Sequence, residues 1–216
     1  MPDHHHEIIE IDGWHFRVQH PKENTSSPRL MLLLHGYQGN ENSMWLLTNP
    51  LADDYLMIAP RAPIESAENQ YVWHEIKPQW PDIGVYQQLA DQLLTRVDLW
   101  LEKQMIPAKT FDLMGFSQGA VMAYALAFLR PERINRVSAL AGFIPHSWKA
   151  QVNMGNIKDK PFFIAHGIRD EIIPISKAYQ AAGWLKEFGA HITFCEADIG
   201  HKLGANCFKG LGDFFG

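Results

Sequence analysis

Cysteine is scarce in this chain: Cys195 and Cys207 are the only two in 216 residues. Two cysteines make no disulfide framework. The opening residues, MPDHHHEIIE, have neither the basic stretch nor the apolar core of a secretion signal. Both thiols are therefore read as reduced, in a cytoplasmic protein. Long hydrophobic runs are missing too. Ala120 to Leu129 is the longest, too short to cross a bilayer, so no stable membrane insertion is expected. Neither sign of charge dominates: 19 Lys and Arg against 24 Asp and Glu leave −5 with His neutral. With no basic stripe, a nucleic-acid partner has no electrostatic footprint. Repeats of fixed period, low-complexity stretches and linkers are absent. No second pair of ligands at metal-site spacing supports His4, His5 and His6, so they read as a solvated terminal run and no metal is expected. No dinucleotide or Walker glycine pattern occurs, so the glycine-rich HGYQG at 35–39 is not read as a phosphate loop.

What is present is ordinary globular material, 46% hydrophobic and 20% charged, long enough to bury a core without staples. One domain over 1–216 is expected, with 1–6 as a flexible terminus. Residues 7–11 and 15–18 read as two short strands about an Asp12-Gly13 turn. The polar segment 21–28 is a loop. Apolar runs at 29–36, 55–60, 111–115, 137–142, 161–167 and 191–197 suit strands buried on both faces. Between them lie helical patterns. Tyr86, Leu89, Leu93, Val97 and Leu101 share one helix face, 117–130 is rich in alanine, and 176–188 and 202–215 supply two more. Alternation of strand and helix predicts an α/β domain with a mainly parallel sheet, helices on both faces, and the first two strands as an antiparallel edge hairpin. The stretch 62–81 reads as one long irregular segment beside the strand ends, placed to act as a flap.

Open α/β sheets bind ligands beyond the carboxyl ends of their strands. The residues just after each apolar run are therefore the informative ones. Gly115-Phe116-Ser117-Gln118-Gly119 follows one strand and opens a helix, which is the G-x-S-x-G pattern in the context it requires. A serine at the tip of so sharp a turn needs glycines two before and two after, because side chains there meet the neighbouring strand and helix. The helix end then directs free N–H groups toward it. A serine hydroxyl is a weak nucleophile without a base. Downstream of Ser117 stand His146, His166, His191 and His201, and only His201 lies on a loop after a late strand. Asp170 follows the preceding strand and is placed to accept from the imidazole and fix its tautomer. Two backbone donors are needed for an oxyanion. Gln118, just after the serine, is one; Tyr37, just after His35-Gly36, is the other.

These residues carry a resemblance. LLLHGYQGNE, YVWHEI, the segment GVYQQLADQL through GFSQGAVMAYALAF, LAGFIP, HGIRDEIIP and GHKLG make the chain similar to the phospholipase/carboxylesterase family of α/β-hydrolases, which includes acyl-protein thioesterases. The likeness spans roughly residues 29–215. It implies the α/β-hydrolase fold without a cap domain. It also implies a serine hydrolase of carboxylic esters, extending to thioesters or lysophospholipids, acting through an acyl-enzyme on Ser117. The family's triad maps onto Ser117, Asp170 and His201, and its oxyanion donors onto the backbone of Tyr37 and Gln118. Trp73 is followed here by His74 and Glu75, and the first loop reads YQGNENSMW; these departures bear on the substrate, not the reaction.

The partner expected is a small ester or thioester, with no cofactor. Activity is expected to rise with an apparent pKa of roughly 6.5–7 as the base loses its proton. Loop residues expected to line the pocket are Trp45, Trp73, Trp80, Phe143, Ile144, Ile172 and Leu203. Apolar residues on surface helices are compatible with a homodimer. The alternatives are an acyl-protein or acyl-CoA thioesterase, a peptidase on the same fold, and a hydrolase-fold protein that only binds ligands. Ester against amide turnover separates the peptidase, and serine reactivity separates the binder.

Overall fold

The computed structural model describes residues 6–21, 28–107, 109–152 and 154–216. The polar loop expected at 21–28 falls almost wholly outside the described residues. So does the expected flexible terminus, except that His6 already belongs to the first strand.

In chain order the strands are β1 (His6–Ile11), β2 (Trp14–Gln19), β3 (Arg29–Leu34), β4 (Tyr55–Pro60), β5 (Ile64–Ala67), β6 (Gln70–Val72), β7 (Phe111–Phe116), β8 (Ile134–Leu140), β9 (Pro161–Gly167) and β10 (His191–Ala197). The helices are α1 (Ile83–Lys103), α2 (Gln118–Leu129), α3 (Ile175–Glu187) and α4 (Ala205–Phe215). Eight strands join in the order β1-β2-β4-β3-β7-β8-β9-β10, while β5 and β6 form a hairpin of their own. The β1–β2 and β2–β4 pairings are antiparallel; the pairings from β4 through β10 are parallel. The edge hairpin forms as expected, because Asp12 and Gly13 both take positive φ, 47° and 76°. That is the backbone a two-residue turn needs to match the twist of its strands.

Side-chain alternation along β3 divides the core. Leu30, Leu32 and Leu34 join the cluster under α1, α2 and α3, whereas Met31 and Leu33 join the cluster under α4. A strand buried on both faces must be apolar at every position, and this one nearly is. Helix α2 is buried from Gln118 to Phe128, which explains why it carries no amphipathic stripe. It is wedged between the sheet and α1.

Strands β4 and β7 lie on opposite sides of β3, so the strand order reverses there. A crevice opens at such a reversal, beyond the carboxyl ends of the strands. The loops after β3 and β7 are those that carry HGYQG and GFSQG.

Two expectations are corrected. The stretch 62–81 is not irregular throughout, since β5 and β6 pair antiparallel within it. All four residues of β5 are exposed, so no apolar alternation marked it. Nor are the cysteines reduced thiols: Cys195 and Cys207 form a disulfide. The loop after β10 turns the chain back so that α4 begins against the strand it just left, with the two Cα atoms 5.6 Å apart, well within bridging range. The bond removes the thiol argument from the cytoplasmic reading. No helix among the described residues is long and apolar enough to cross a membrane.

Candidate active site

Ser117 connects β7 to α2 with φ 54° and ψ −116°, a strained backbone for a residue with a side chain. Two glycines make the turn feasible. A Cβ on Gly115 falls 2.2 Å from the Gly119 carbonyl oxygen, and one on Gly119 falls 2.0 Å from the Leu34 carbonyl oxygen. Any larger residue at either place pushes α2 off the sheet. The Ser117 N–H is bound to the Leu140 carbonyl at 2.8 Å, and the Ser117 carbonyl takes the first helical bonds from Ala120 and Val121. The serine is thus pinned from both sides while its side chain faces the cleft.

His35 organises the loop after β3. It is wholly buried, with Nδ1 2.7 Å from the Gly36 carbonyl and Nε2 3.0 Å from the Ala62 N–H. An N–H can only donate, so Nε2 accepts and the ring is neutral with its proton on Nδ1. Burial drives its pKa down to about 4, against the raising effect of the Gly36 carbonyl and Glu41. Gly39 closes the turn with an N–H to the Gly36 carbonyl at 3.1 Å, and a Cβ there would strike the His35 ring. The backbone N–H groups of Tyr37 and Gln118 make no hydrogen bond among the described residues, and both residues line the cleft with Ser117.

The loop after β9 holds Asp170, whose side chain is fully buried. One carboxylate oxygen accepts from the N–H groups of Ile172 and Ile173, each at 2.9 Å. The other lies 2.6 Å from His201 Nδ1. Burial pushes this carboxyl up, but the Ile173 N–H, the His201 ring and the Ile172 N–H together outweigh it and hold its pKa below the ordinary value. His201 sits on the loop after β10, with its ring 5.1 Å from the Phe116 ring and its edge in the cleft. Gly167 admits that loop, since a Cβ there falls 2.2 Å from the Gly200 carbonyl oxygen. No hydrogen bond joins Ser117 to His201 among the described residues; such contacts commonly close only with substrate bound.

Three further side chains, those of His166, Gln118 and Trp73, make buried polar contacts here. His166 is buried beside Asp170, its Nε2 2.7 Å from the Ile173 carbonyl and 3.3 Å from the carboxylate. It holds the 170–173 turn closed. Burial keeps its pKa low, against the pull of the Ile173 carbonyl and Asp170. The Gln118 side chain accepts from the Trp73 N–H at 2.9 Å and donates to the His74 carbonyl at 2.8 Å. Trp73 Nε1 donates to the His35 carbonyl at 2.8 Å. The segment after β6 is therefore tethered to the turns after β3 and β7. Nothing in the sequence marks these contacts except that buried polar groups need partners.

A cleft of about 790 Å³ contains Ser117 and His201. Of the expected lining, Trp80, Phe143 and Ile172 are there, joined by Ile76, Ile173 and Phe116. Trp45, Trp73, Ile144 and Leu203 are not. Trp45 lies in a separate hollow with Arg17 and Thr48, its Nε1 bound to the Glu41 carbonyl. Trp73 and Ile144 are core, and Leu203 packs on the core under α4. Being on a loop near a strand end does not decide which way an apolar side chain turns. Among the described residues no three His, Cys, Asp or Glu side chains converge as a metal site.

Comparison with known proteins gives this geometry a setting. The profile of the phospholipase/carboxylesterase family matches residues 14–215. An acyl-protein thioesterase 1 from Debaryomyces hansenii is 27% identical over 180 residues, 74% of this chain and 77% of that protein. An acyl-protein thioesterase 1 homolog from Dictyostelium discoideum is 25% identical over 169 residues, 70% of this chain and 73% of that one. Among solved structures, the Bacillus cereus carboxylesterase superposes with a TM-score of 0.79 at 20% identity, covering 93% of this chain and 92% of its own. A Mesorhizobium loti carboxylesterase gives 0.81 at 17% identity, covering 96% and 97%. The fold is that of the α/β-hydrolases. The chain belongs to the phospholipase/carboxylesterase family and is a hydrolase of esters.

Proposed function

We propose that this hydrolase works by acyl transfer to Ser117. His201 takes the hydroxyl proton as Oγ attacks the acyl carbonyl. Asp170 holds the ring in the Nδ1–H tautomer and balances the imidazolium that forms. The developing oxyanion rests on the N–H groups of Tyr37 and Gln118, where each donor contributes about 3–4 kcal/mol to the transition state. His201 returns the proton to the departing alcohol. Water then attacks the acyl-enzyme with His201 again as base, releasing the acid and restoring the serine.

One observation carries this reading. The buried, twice-anchored Asp170 carboxylate lies 2.6 Å from a histidine that shares a cleft with a serine held on a strained turn. A fold needs no such investment for stability alone. The same steps serve a thioester with a thiol as leaving group, and the thioesterases among the relatives favour that extension.

The test is hydrolysis of p-nitrophenyl esters from acetate to dodecanoate, wild type beside Ser117→Ala. The expected result is turnover in the wild type and its loss in the variant, with the optimum length sizing the cleft. Turnover that survives the substitution overturns the assignment. Acyl-CoA substrates in the same series decide ester against thioester.

A further inference from the structure

The cleft is apolar along most of its length, yet one full charge borders it. Lys177, in the first turn of α3, lines it together with Trp80, Phe143 and Pro174. Among the described residues no Asp, Glu or Arg lines the cleft. Lys177 makes no ion pair among the described residues. Lys177 also borders a smaller hollow of about 350 Å³, shared with Trp80 and Phe143, so it stands where the two cavities meet. Asp82 is in that hollow, but its carboxylate is engaged by the Gln151 amide at 2.7 Å.

Charge at this place has a consequence for substrate choice. An ester whose carbonyl sits on the Tyr37 and Gln118 N–H groups extends along the apolar wall toward α3. A neutral tail gains nothing from the ammonium there. A carboxylate or phosphate gains an ion pair with an ammonium that no carboxylate among the described residues holds within salt-bridge distance. We propose that Lys177 is a specificity-determining residue and that the substrates are anionic esters or thioesters, carrying a carboxylate or phosphate at the end remote from the scissile bond. This rests on the acyl-transfer reading of the same cleft.

Two substrate pairs test it and locate the anion. Mono-p-nitrophenyl adipate against p-nitrophenyl hexanoate places the charge on the acyl side. Lysophosphatidate against monoacylglycerol of the same chain places it on the alcohol side. The readout is the ratio of kcat/KM for the anionic over the neutral member, in wild type and in Lys177→Met, Lys177→Arg and Lys177→Glu. A solvent-accessible pair supports a preference of about three- to fivefold, which shrinks as salt is raised. The ratio is expected to fall toward one in Lys177→Met, to survive in Lys177→Arg and to fall below one in Lys177→Glu, in at least one pair. A wild-type ratio of one or less in both pairs, or an unchanged ratio in Lys177→Met, overturns the proposal while leaving the esterase reading intact. Failure of the wild type to turn over any of the four substrates overturns both.

Discussion

His35 makes the loop behind Tyr37 sensitive to acid, by an amount the structure lets one work out. The imidazole is neutral and accepts from the Ala62 N–H; protonation breaks that bond and leaves a buried cation facing an N–H donor. Its folded pKa is about 4 and its ordinary value 6.5. Between those values the unfolded chain holds a proton that the folded one refuses. The contribution to stability is therefore complete above pH 6.5, falls as pH drops through the window, and is spent by pH 4. A gap of roughly 2.5 pH units at 1.36 kcal/mol each gives about 3 kcal/mol. Other buried histidines, His74 and His166, shift in the same direction, so the effect must be isolated by difference. The perturbation is His35→Gln, which keeps a neutral acceptor without the titration. The assay is urea unfolding at pH 7.5, 6, 5 and 4 for both proteins. The wild type is expected to lose about 3 kcal/mol relative to the variant across this range. A difference that stays constant with pH refutes a neutral, buried His35 and with it this account of the loop.

Other consequences follow from the same geometry. Asp170→Asn keeps the shape but not the charge, and can present its N–H₂ to His201, so kcat/KM on a p-nitrophenyl ester should fall by about 10⁴ with the melting curve little changed; a loss under tenfold contradicts the role given to Asp170. Gly119→Ala places a methyl 2.0 Å from the Leu34 carbonyl oxygen. That should cost about 3 kcal/mol by urea unfolding and depress turnover, and a silent substitution means the turn is looser than described. The disulfide between Cys195 and Cys207 spans 12 positions and closes the loop that carries His201. Adding a reductant, or making the Cys195→Ala/Cys207→Ala double variant, should lower stability by about 2–3 kcal/mol; an unchanged urea midpoint says the bond does not form in solution.

Legibility in the sequence followed physics rather than importance. Strands such as β3 and β4 were readable because burial on both faces demands a continuous apolar run, and their turns were marked by glycine. Ser117, Asp170 and His201 were readable because each sits just past such a run, where chemistry collects in α/β sheets. The β5–β6 hairpin was not, because Ile64–Ala67 is exposed throughout and shows no alternation. Trp45 and Trp80 are equivalent on paper, yet one turns away from the cleft and the other lines it. His166 does not lie on a loop past such a run; it is the sixth residue of β9, and from there it braces the Asp170 turn. The disulfide joins a strand to the helix after it, and spacing alone does not separate such a pair from two free thiols. The Gln118 side chain, which ties the 73–74 segment to the nucleophile turn, left no periodic trace at all.

The central claim is that Ser117 alone is the activated nucleophile. Its most direct test is covalent labelling with a fluorophosphonate, followed by peptide mass spectrometry. The expected result is a single adduct on the tryptic peptide containing Ser117, abolished in His201→Ala. An adduct on another residue, or none in a folded protein that still hydrolyses esters, contradicts it.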